Sequence, residues 1–272
     1  MDIERGDSGY VYTLVGHVWV KTEEYEITAG RGKYYEQDSL SELWKDVVVR
    51  GRNYIIKSDY LKYRSPDEYL LLEGKVFLED SLRRIKSRWI EVIRKVARAK
   101  GDVYVFLKNR NVSVEGDSAI YNINTGVGTI WGDISIQILR DSDTVHIDTR
   151  MLHVEKENFT AIPLIKLTSS TEEASGDTLH YILNRDSTET AIIKGNAFVR
   201  WSDGEGKADT IEIIYRQNQI LRAIFKGNAV VSRRDSTRYF YIEADRVDVW
   251  FSSGRVQRVL SDFIRNAYIR EE

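Results

Sequence analysis

The chain contains no cysteine, which excludes a disulfide framework and any thiolate metal site. Basic and acidic residues number 40 and 42, a net charge of −2, so bulk charge selects no nucleic-acid partner. No apolar run approaches the ~18 residues a helix needs to cross a bilayer. The opening residues, Met1-Asp-Ile-Glu-Arg-Gly-Asp-Ser8, lack the basic and apolar regions of a signal peptide. Those residues fit either a cytosolic protein or a mature chain whose signal has been removed.

Catalytic patterns are missing as well. His17, His146, His153 and His180 show no metal-ligand spacing, and His153 and His180 fall on outward positions of strands. Asp141-Ser-Asp143 is too short for a calcium loop and reads as a turn. Gly126-Val-Gly128, followed by Gly132, misses the dinucleotide spacing, and no Gly-x-Ser-x-Gly elbow occurs. Glycoside hydrolysis needs paired carboxylates converging in a cleft, whereas the acidic residues here fall on alternating outward positions or in turns. No enzyme, metal or cofactor is expected.

What the chain has instead is a repeat. Its opening half reads Gly-x-apolar-x-apolar: Gly16 leads Val18 and Val20, Gly74 leads Val76 and Leu78, Gly101 leads Val103 and Val105, and Gly132 leads Ile134 and Ile136. Gly195 leads Ala197 and Val199, and Gly227 leads Ala229 and Val231. Lys45, ahead of Val47 and Val49, and Pro163, ahead of Ile165 and Leu167, are degenerate copies. The closing half is small-polar-x-apolar-x-apolar, as in Ser58-Asp with Leu61 and Tyr63, Ser87-Arg with Ile90 and Val92, and Gly116-Asp with Ala119 and Tyr121. Thr149-Arg leads Leu152 and Val154, Gly176-Asp leads Leu179 and Tyr181, Ala208-Asp leads Ile211 and Ile213, and Ala244-Asp leads Val247 and Val249. Ala29, with Gly32 and Tyr34, is a weak first copy.

About eight units of roughly thirty residues result, the mark of a stacked-repeat architecture. Alternation of apolar with polar is the period of a half-buried strand, so each unit supplies two short strands that must share a core with their neighbours. The expected fold is all-β: an elongated β-jelly roll of about sixteen stacked antiparallel strands in a single domain, 1–272. Repeats occupy about 10–260, and 261–272 is a tail. Eight rungs at about 4.8 Å predict a body on the order of 38 Å long with two open ends. Turn signals punctuate the period at Pro66, Asn124-Thr-Gly126, Glu155-Lys-Glu-Asn158, Gln217-Asn-Gln219 and Ser252-Ser-Gly254. Pro163 is expected at the first position of a strand.

Residues 81–100 carry two signals. Ile85, Trp89, Ile93 and Val96 have an amphipathic-helix spacing, while Ser87-Arg-Trp-Ile-Glu-Val falls on the strand motif in register with its neighbours. Period favours strand. Beyond Val256, Arg255–Leu260 reads as one more strand and Ile264–Ile269 as an irregular or edge segment. The basic cluster Arg83, Arg84, Lys86, Arg88, Arg94, Lys95, Arg98 and Lys100 reads as a solvated face, with phosphate contact as the alternative. Trp19, Trp44, Trp89, Trp131, Trp201 and Trp250 are expected outward or at a rim.

Lys194-Gly-Asn-Ala-Phe-Val with Lys207-Ala-Asp-Thr-Ile-Glu-Ile, and Lys226-Gly-Asn-Ala-Val-Val with Glu243-Ala-Asp-Arg-Val-Asp-Val, resemble the OstA-like family of lipopolysaccharide-transport proteins. The family comprises LptA, LptC and the N-terminal domain of LptD, and the resemblance covers roughly residues 10–260. The chain looks longer than a typical LptA, without the N-terminal anchor of LptC or the barrel of LptD. A soluble LptA-like member is therefore expected first.

The resemblance implies a periplasmic, non-catalytic carrier of lipopolysaccharide or a related lipid. It would hold acyl chains in an apolar groove and form part of a bridge from inner to outer membrane. LptC-like and LptD-like partners, or further copies head to tail, would join by edge-strand addition. The implied lining is Val18, Val20, Val47, Val49, Leu61, Val76, Leu78, Ile90, Val103, Val105, Ile134, Ile136, Leu152, Leu179, Val199, Ile211, Val231 and Val247. Ordinary core packing, in a ligand-free structural β-solenoid, is the alternative reading of the same ladder.

Overall fold

A computed structural model describes residues 2–6, 9–21, 23–139, 143–156, 158–183, 188–216, 219–252 and 254–271. Asp141 and Ser142, and Glu157, Gln217, Asn218 and Ser253 of the expected turns, lie outside the described residues. Every regular element among them is a strand, so the all-β class and its antiparallel stacking hold. The chain forms two compact units, 1–132 and 133–272.

In the first unit β1 (Asp2–Gly6), β2 (Gly9–Lys21), β3 (Tyr25–Tyr35), β4 (Leu40–Gly51), β5 (Tyr54–Arg64), β6 (Tyr69–Asp80), β7 (Arg83–Ile93), β8 (Val96–Leu107) and β9 (Val112–Asn122) pair antiparallel in chain order. The unit boundary falls inside β10 (Val127–Leu139). The second unit continues with β11 (Thr144–Glu155), β12 (Asn158–Thr168), β13 (Glu172–Gly176), β14 (Thr178–Leu183), β15 (Thr188–Trp201), β16 (Gly204–Arg216), β17 (Gln219–Arg234), β18 (Arg238–Ser252) and β19 (Arg255–Glu271). Because β13 and β14 both pair with β12 and β15, they form one rung interrupted at Asp177. Counting them once, β2 to β18 supply the sixteen rungs of the repeat, with β1 and β19 added outside it.

The repeat motif marks the middle of a strand, not its start. Two short strands per unit were expected, yet β4 has 12 residues and β17 has 16. The reason lies in backbone conformation. Gly195 and Asn196 have φ of 71° and 47°, and Gly227 and Asn228 have 73° and 47°, so two successive left-handed residues turn the strand through a corner. Pairing resumes beyond it with a register shift, between Lys194 and Ala197 and between Lys226 and Ala229. Lys45 and Asp46 make the same corner without glycine, at φ 66° and 52°.

Each corner divides its strand into two arms that face each other across the core. In the first unit one buried cluster holds Leu43 and Val47, from opposite sides of the β4 corner, together with Val18, Leu61, Leu72, Val76 and Ile90. The small residue of the closing motif sits on the inside of its corner: Ser58, Ser87, Thr149, Ala208 and Ala244 are all buried. The Ser87 hydroxyl donates to the Lys100 carbonyl at 2.8 Å, and Thr149 Oγ1 to that of Pro163 at 2.7 Å.

Three local expectations change. Within 81–100, residues 83–93 and 96–100 are strand, in β7 and β8 joined at Arg94-Lys95, so the fourfold apolar spacing there belongs to two strands rather than one helix. The stretch 261–271, expected as tail or irregular segment, is part of β19, which pairs with β18 as far as Glu271. Pro163 lies mid-strand in β12 after a cis Ile162–Pro163 bond. There Leu167 is buried, as its place in the Pro163 copy implies, but Ile165 is exposed and Leu164 is buried in its stead, so the inward parity changes within the corner.

Candidate functional site

The eighteen expected lining residues lie on the inward faces of the two units, but in different surroundings. In the first unit Val18, Val47, Val76 and Val103 form a column next to the corners, and Leu61 and Ile90 lie in the opposing arms; all are buried. One step farther out, Val49 is buried, Leu78 and Val105 are half-buried, and Val20 is 39% exposed. In the second unit Ile134, Ile136, Leu152, Leu179, Val199, Ile211, Val231 and Val247 are all buried.

Part of the lining was missed. Leu72 in the first unit, and Ala191, Ile193, Ala223 and Phe225 in the second, are buried on the arms that precede the glycine corners. Their signal was in the chain: apolar residues stand four and two places before Gly195 and Gly227, as they do two and four places after. A glycine read as a strand start hides the arm behind it.

The mouth of the first unit, away from its corners, has two unlike lips. Register carries one lip through Val20, Ile27, Val49, Ile56, Leu78, Ile85, Val105 and Val114, all aliphatic. Its counterpart runs through Tyr12, Tyr34, Ser41, Tyr63, Leu70, Val92, Ala97 and Tyr121. Apart from the buried Val49 and Val114, every one of these is half-buried or exposed.

The second unit is closed at the corresponding place. Trp201, expected outward, is 6% exposed and packs edge-on against Phe251 with ring centroids 5.7 Å apart, and against Phe225 at 6.3 Å. It stands at the end of a β15 arm, whereas Phe225 and Phe251 come from the facing arms of β17 and β18. Gly204 and Gly206 admit these rings: a Cβ at either would overlap Trp201 or Phe225. The Tyr215 hydroxyl, on β16, donates to Glu172 Oε2 on β13 at 2.9 Å, between the same two sets of arms.

Polar groups elsewhere make a solvated exterior. Much of the basic cluster is paired: Arg83 with Asp80 at 3.1 Å, Arg84 with Glu79 at 2.9 Å, Arg88 with Asp102 at 3.0 Å, Lys95 with Glu68 at 3.3 Å and Arg98 with Glu91 at 3.4 Å. Lys100 lies over the Trp89 ring at 5.1 Å. On the outer face Glu42 accepts from the Tyr60 hydroxyl at 2.9 Å and from that of Tyr35 at 3.3 Å. Burial, reinforced by that carboxylate, raises the Tyr60 phenol well above its ordinary range.

His180 Nδ1 lies 3.0 Å from Thr160 Oγ1, and burial, with Lys194 nearby, pushes the imidazole below its usual value. Among the described residues no three metal-ligating side chains converge. Two shallow surface depressions, at Arg50–Ile55 with Glu79 and Asp80 and at Pro66–Glu68 with Arg94 and Lys95, lie at turns. Neither belongs to the apolar interior. Chemically, the first unit's mouth presents rows of partly covered apolar side chains. No protein-family model matches the chain, and no curated protein matches it.

Proposed function

We propose that the chain is a periplasmic, non-catalytic carrier of lipopolysaccharide or a related acylated lipid, of the OstA-like, LptA type. The supporting observation is the first unit's mouth, where facing rows of apolar side chains are only half covered by the protein itself. Each methylene moved from water onto such rows gains about 0.8 kcal/mol, so acyl chains are held by burial rather than by directional bonds. Few directional contacts also permit sliding, which a carrier needs for release. Partners join by strand addition at β19, for which, among the described residues of its unit, the pairing is with β18. LptC-like and LptD-like chains, or a further copy head to tail, are the partners of this reading.

Native mass spectrometry of the purified chain, with and without added lipopolysaccharide, tests it. A retained lipid mass, lost when Val105 and Ile136 are both changed to Asp, is the expected outcome. Because Ile136 is buried in a closed interior, Val105→Asp alone separates loss of binding from loss of fold: it should abolish the lipid mass and leave the unfolding transition nearly in place.

The aromatic closure of the second unit favours another reading, a ligand-free structural β-solenoid assembling edge to edge. Concentration-dependent oligomers that carry no extractable lipid under any loading condition would establish that reading instead.

A further inference from the structure

The two lips of the first unit's mouth differ in chemistry, most over β2–β5, where three of the four tyrosines of one lip lie; the fourth, Tyr121, stands apart on β9. Across β2, β3, β4 and β5 one lip is Val20, Ile27, Val49 and Ile56, and the other is Tyr12, Tyr34, Ser41 and Tyr63. From β6 to β8 both lips are apolar, with Leu70, Val92 and Ala97 on the former tyrosine side.

Alternation turns the three tyrosines inward. Tyr12 lies two residues from Leu14, which packs on the core, and Tyr63 lies two from buried Leu61. Tyr34 is two residues beyond Gly32, where a Cβ would meet Leu43 and come within 3.7 Å of Val18. Tyr34 and Tyr63 are nonetheless 39% and 40% exposed, and Tyr12 and Tyr34 place their ring centroids 6.1 Å apart. A phenol in this position has its ring against hydrocarbon and its hydroxyl at the water boundary. Among the described residues no partner bonds these three hydroxyls, in contrast to Tyr35 and Tyr60 on the outer face, which donate to Glu42.

We infer that this lip orients the ligand, and that it reads the polar linkage of a glycolipid just above its acyl chains. Hydrocarbon lies along the aliphatic lip and extends toward β6–β8. Ester, amide or sugar oxygens at the chain's polar end accept from the hydroxyls of Tyr12, Tyr34 and Tyr63. From β2 to β5 is three strand spacings, about 14 Å, room for one headgroup lying across the strands. The occupant is thus a single acylated sugar lipid, with its head toward β2 and its chain toward β8. This assignment rests on the carrier reading above and adds the class of headgroup chemistry and its direction.

The test compares the full chain with the Tyr12→Phe/Tyr34→Phe/Tyr63→Phe triple variant, which keeps every ring and removes every hydroxyl. Two probes are titrated: N-palmitoyl-glucosamine, and a pyrene-labelled hexadecane that has no hydrogen-bond acceptor. A tenfold or greater loss of affinity for the glucosamine amphiphile, with hexadecane binding within twofold of the original, is expected. Tyr35→Phe/Tyr60→Phe should leave both affinities unchanged. Equal affinities in the triple variant and the original chain overturn the orienting lip while leaving the carrier reading in place, and so does a parallel loss of both probes. If the original chain binds neither probe, the carrier reading falls and takes the lip assignment with it.

Discussion

Tyr215 and Glu172 are 43 residues apart in sequence, and the phenol donates to the carboxylate at 2.9 Å, tying an arm of β16 to the end of β13. Trp201 fills the space beside them against Phe225 and Phe251. The closure is therefore mainly a matter of aromatic volume, with the Tyr215–Glu172 bond as a polar tie at its rim. Trp201→Ala should lower the stability of the second unit by about 3–5 kcal/mol, the cost of an aromatic cavity, whereas Tyr215→Phe should cost only about 1 kcal/mol. Urea unfolding of both variants checks the ratio. A Trp201→Ala variant that unfolds like the original would mean that the aromatic cluster does not hold the arms together.

The corners should respond to a methyl group according to what lies beside them. Gly227 has φ 73° and a Cβ there would overlap Asp209, while Gly16 has φ 100° and nothing within 4 Å. Gly16→Ala carries only the backbone cost of a left-handed residue, about 1–2 kcal/mol. Gly227→Ala adds displacement of the carboxylate and loss of the Asn228 Nδ2 bond to Asp209, 3.1 Å in the native corner. It should be the more destabilising by at least about 1 kcal/mol in thermal unfolding. Equal costs would show that the Asp209 contact carries no weight.

Acid should weaken the first unit through Asp80. Burial on its own would raise this carboxyl, but backbone N–H groups of Leu82 and Arg83, and the Arg83 guanidinium at 3.1 Å, together hold it below its ordinary value. A carboxylate lowered on folding contributes stability that is present above its unfolded pKa, about 3.9, and is lost as pH falls through the folded value. The melting temperature should therefore drop with acid below about pH 4. Asp80→Asn, which keeps an oxygen for the backbone donors, should flatten that part of the curve; an unchanged slope would assign it to other carboxylates.

Strand β19 should govern self-association. Phe263 is 82% exposed and Ile264 and Ile269 are exposed beside it. Phe263→Lys/Ile269→Lys should shift sedimentation toward monomer while changing unfolding by less than about 1 kcal/mol, since neither side chain is packed. Oligomers that persist in this variant would place the contact elsewhere.

Much of this architecture was legible in the sequence, because a corner that recurs from strand to strand often recruits small residues at the same place. Gly195-Asn196 and Ala208-Asp209 are visible for that reason. What hid was on which side of the glycine the strand lies. Alternation before Gly227 at Ala223 and Phe225 is as clear as alternation after it at Ala229 and Val231, but a loop-forming residue invites the reader to stop there. Pro163 misled more locally: Leu167 is inward as its copy implies, but Leu164 takes the inward place expected of Ile165 because the corner consumes a residue, and no period counts that residue in advance. Trp201 was unreadable for another reason. Its burial depends on Gly204, paired with it across the hairpin, and on Gly206, which admits the Phe225 ring of the facing layer.

Chains built from near-copies risk pairing a segment with the wrong copy, and the corners here act as keyed joints against that error. Asp209 occupies the place a side chain at 227 would need, and Asp177 does the same for Gly195, while the Arg88 side chain covers Gly101. At the last rung Arg265 reaches back to Asn228 at 3.2 Å and to the Ala244 carbonyl at 3.2 Å. A slip by one residue would put a Cβ beneath a carboxylate and turn every apolar row toward water. Beside Gly101, a slip by a whole repeat would set the Arg88 joint against an aspartate joint such as Asp59 with Gly74 or Asp117 with Gly132. That departure from the other copies marks the rung, so local imperfection of the repeat helps to fix its register.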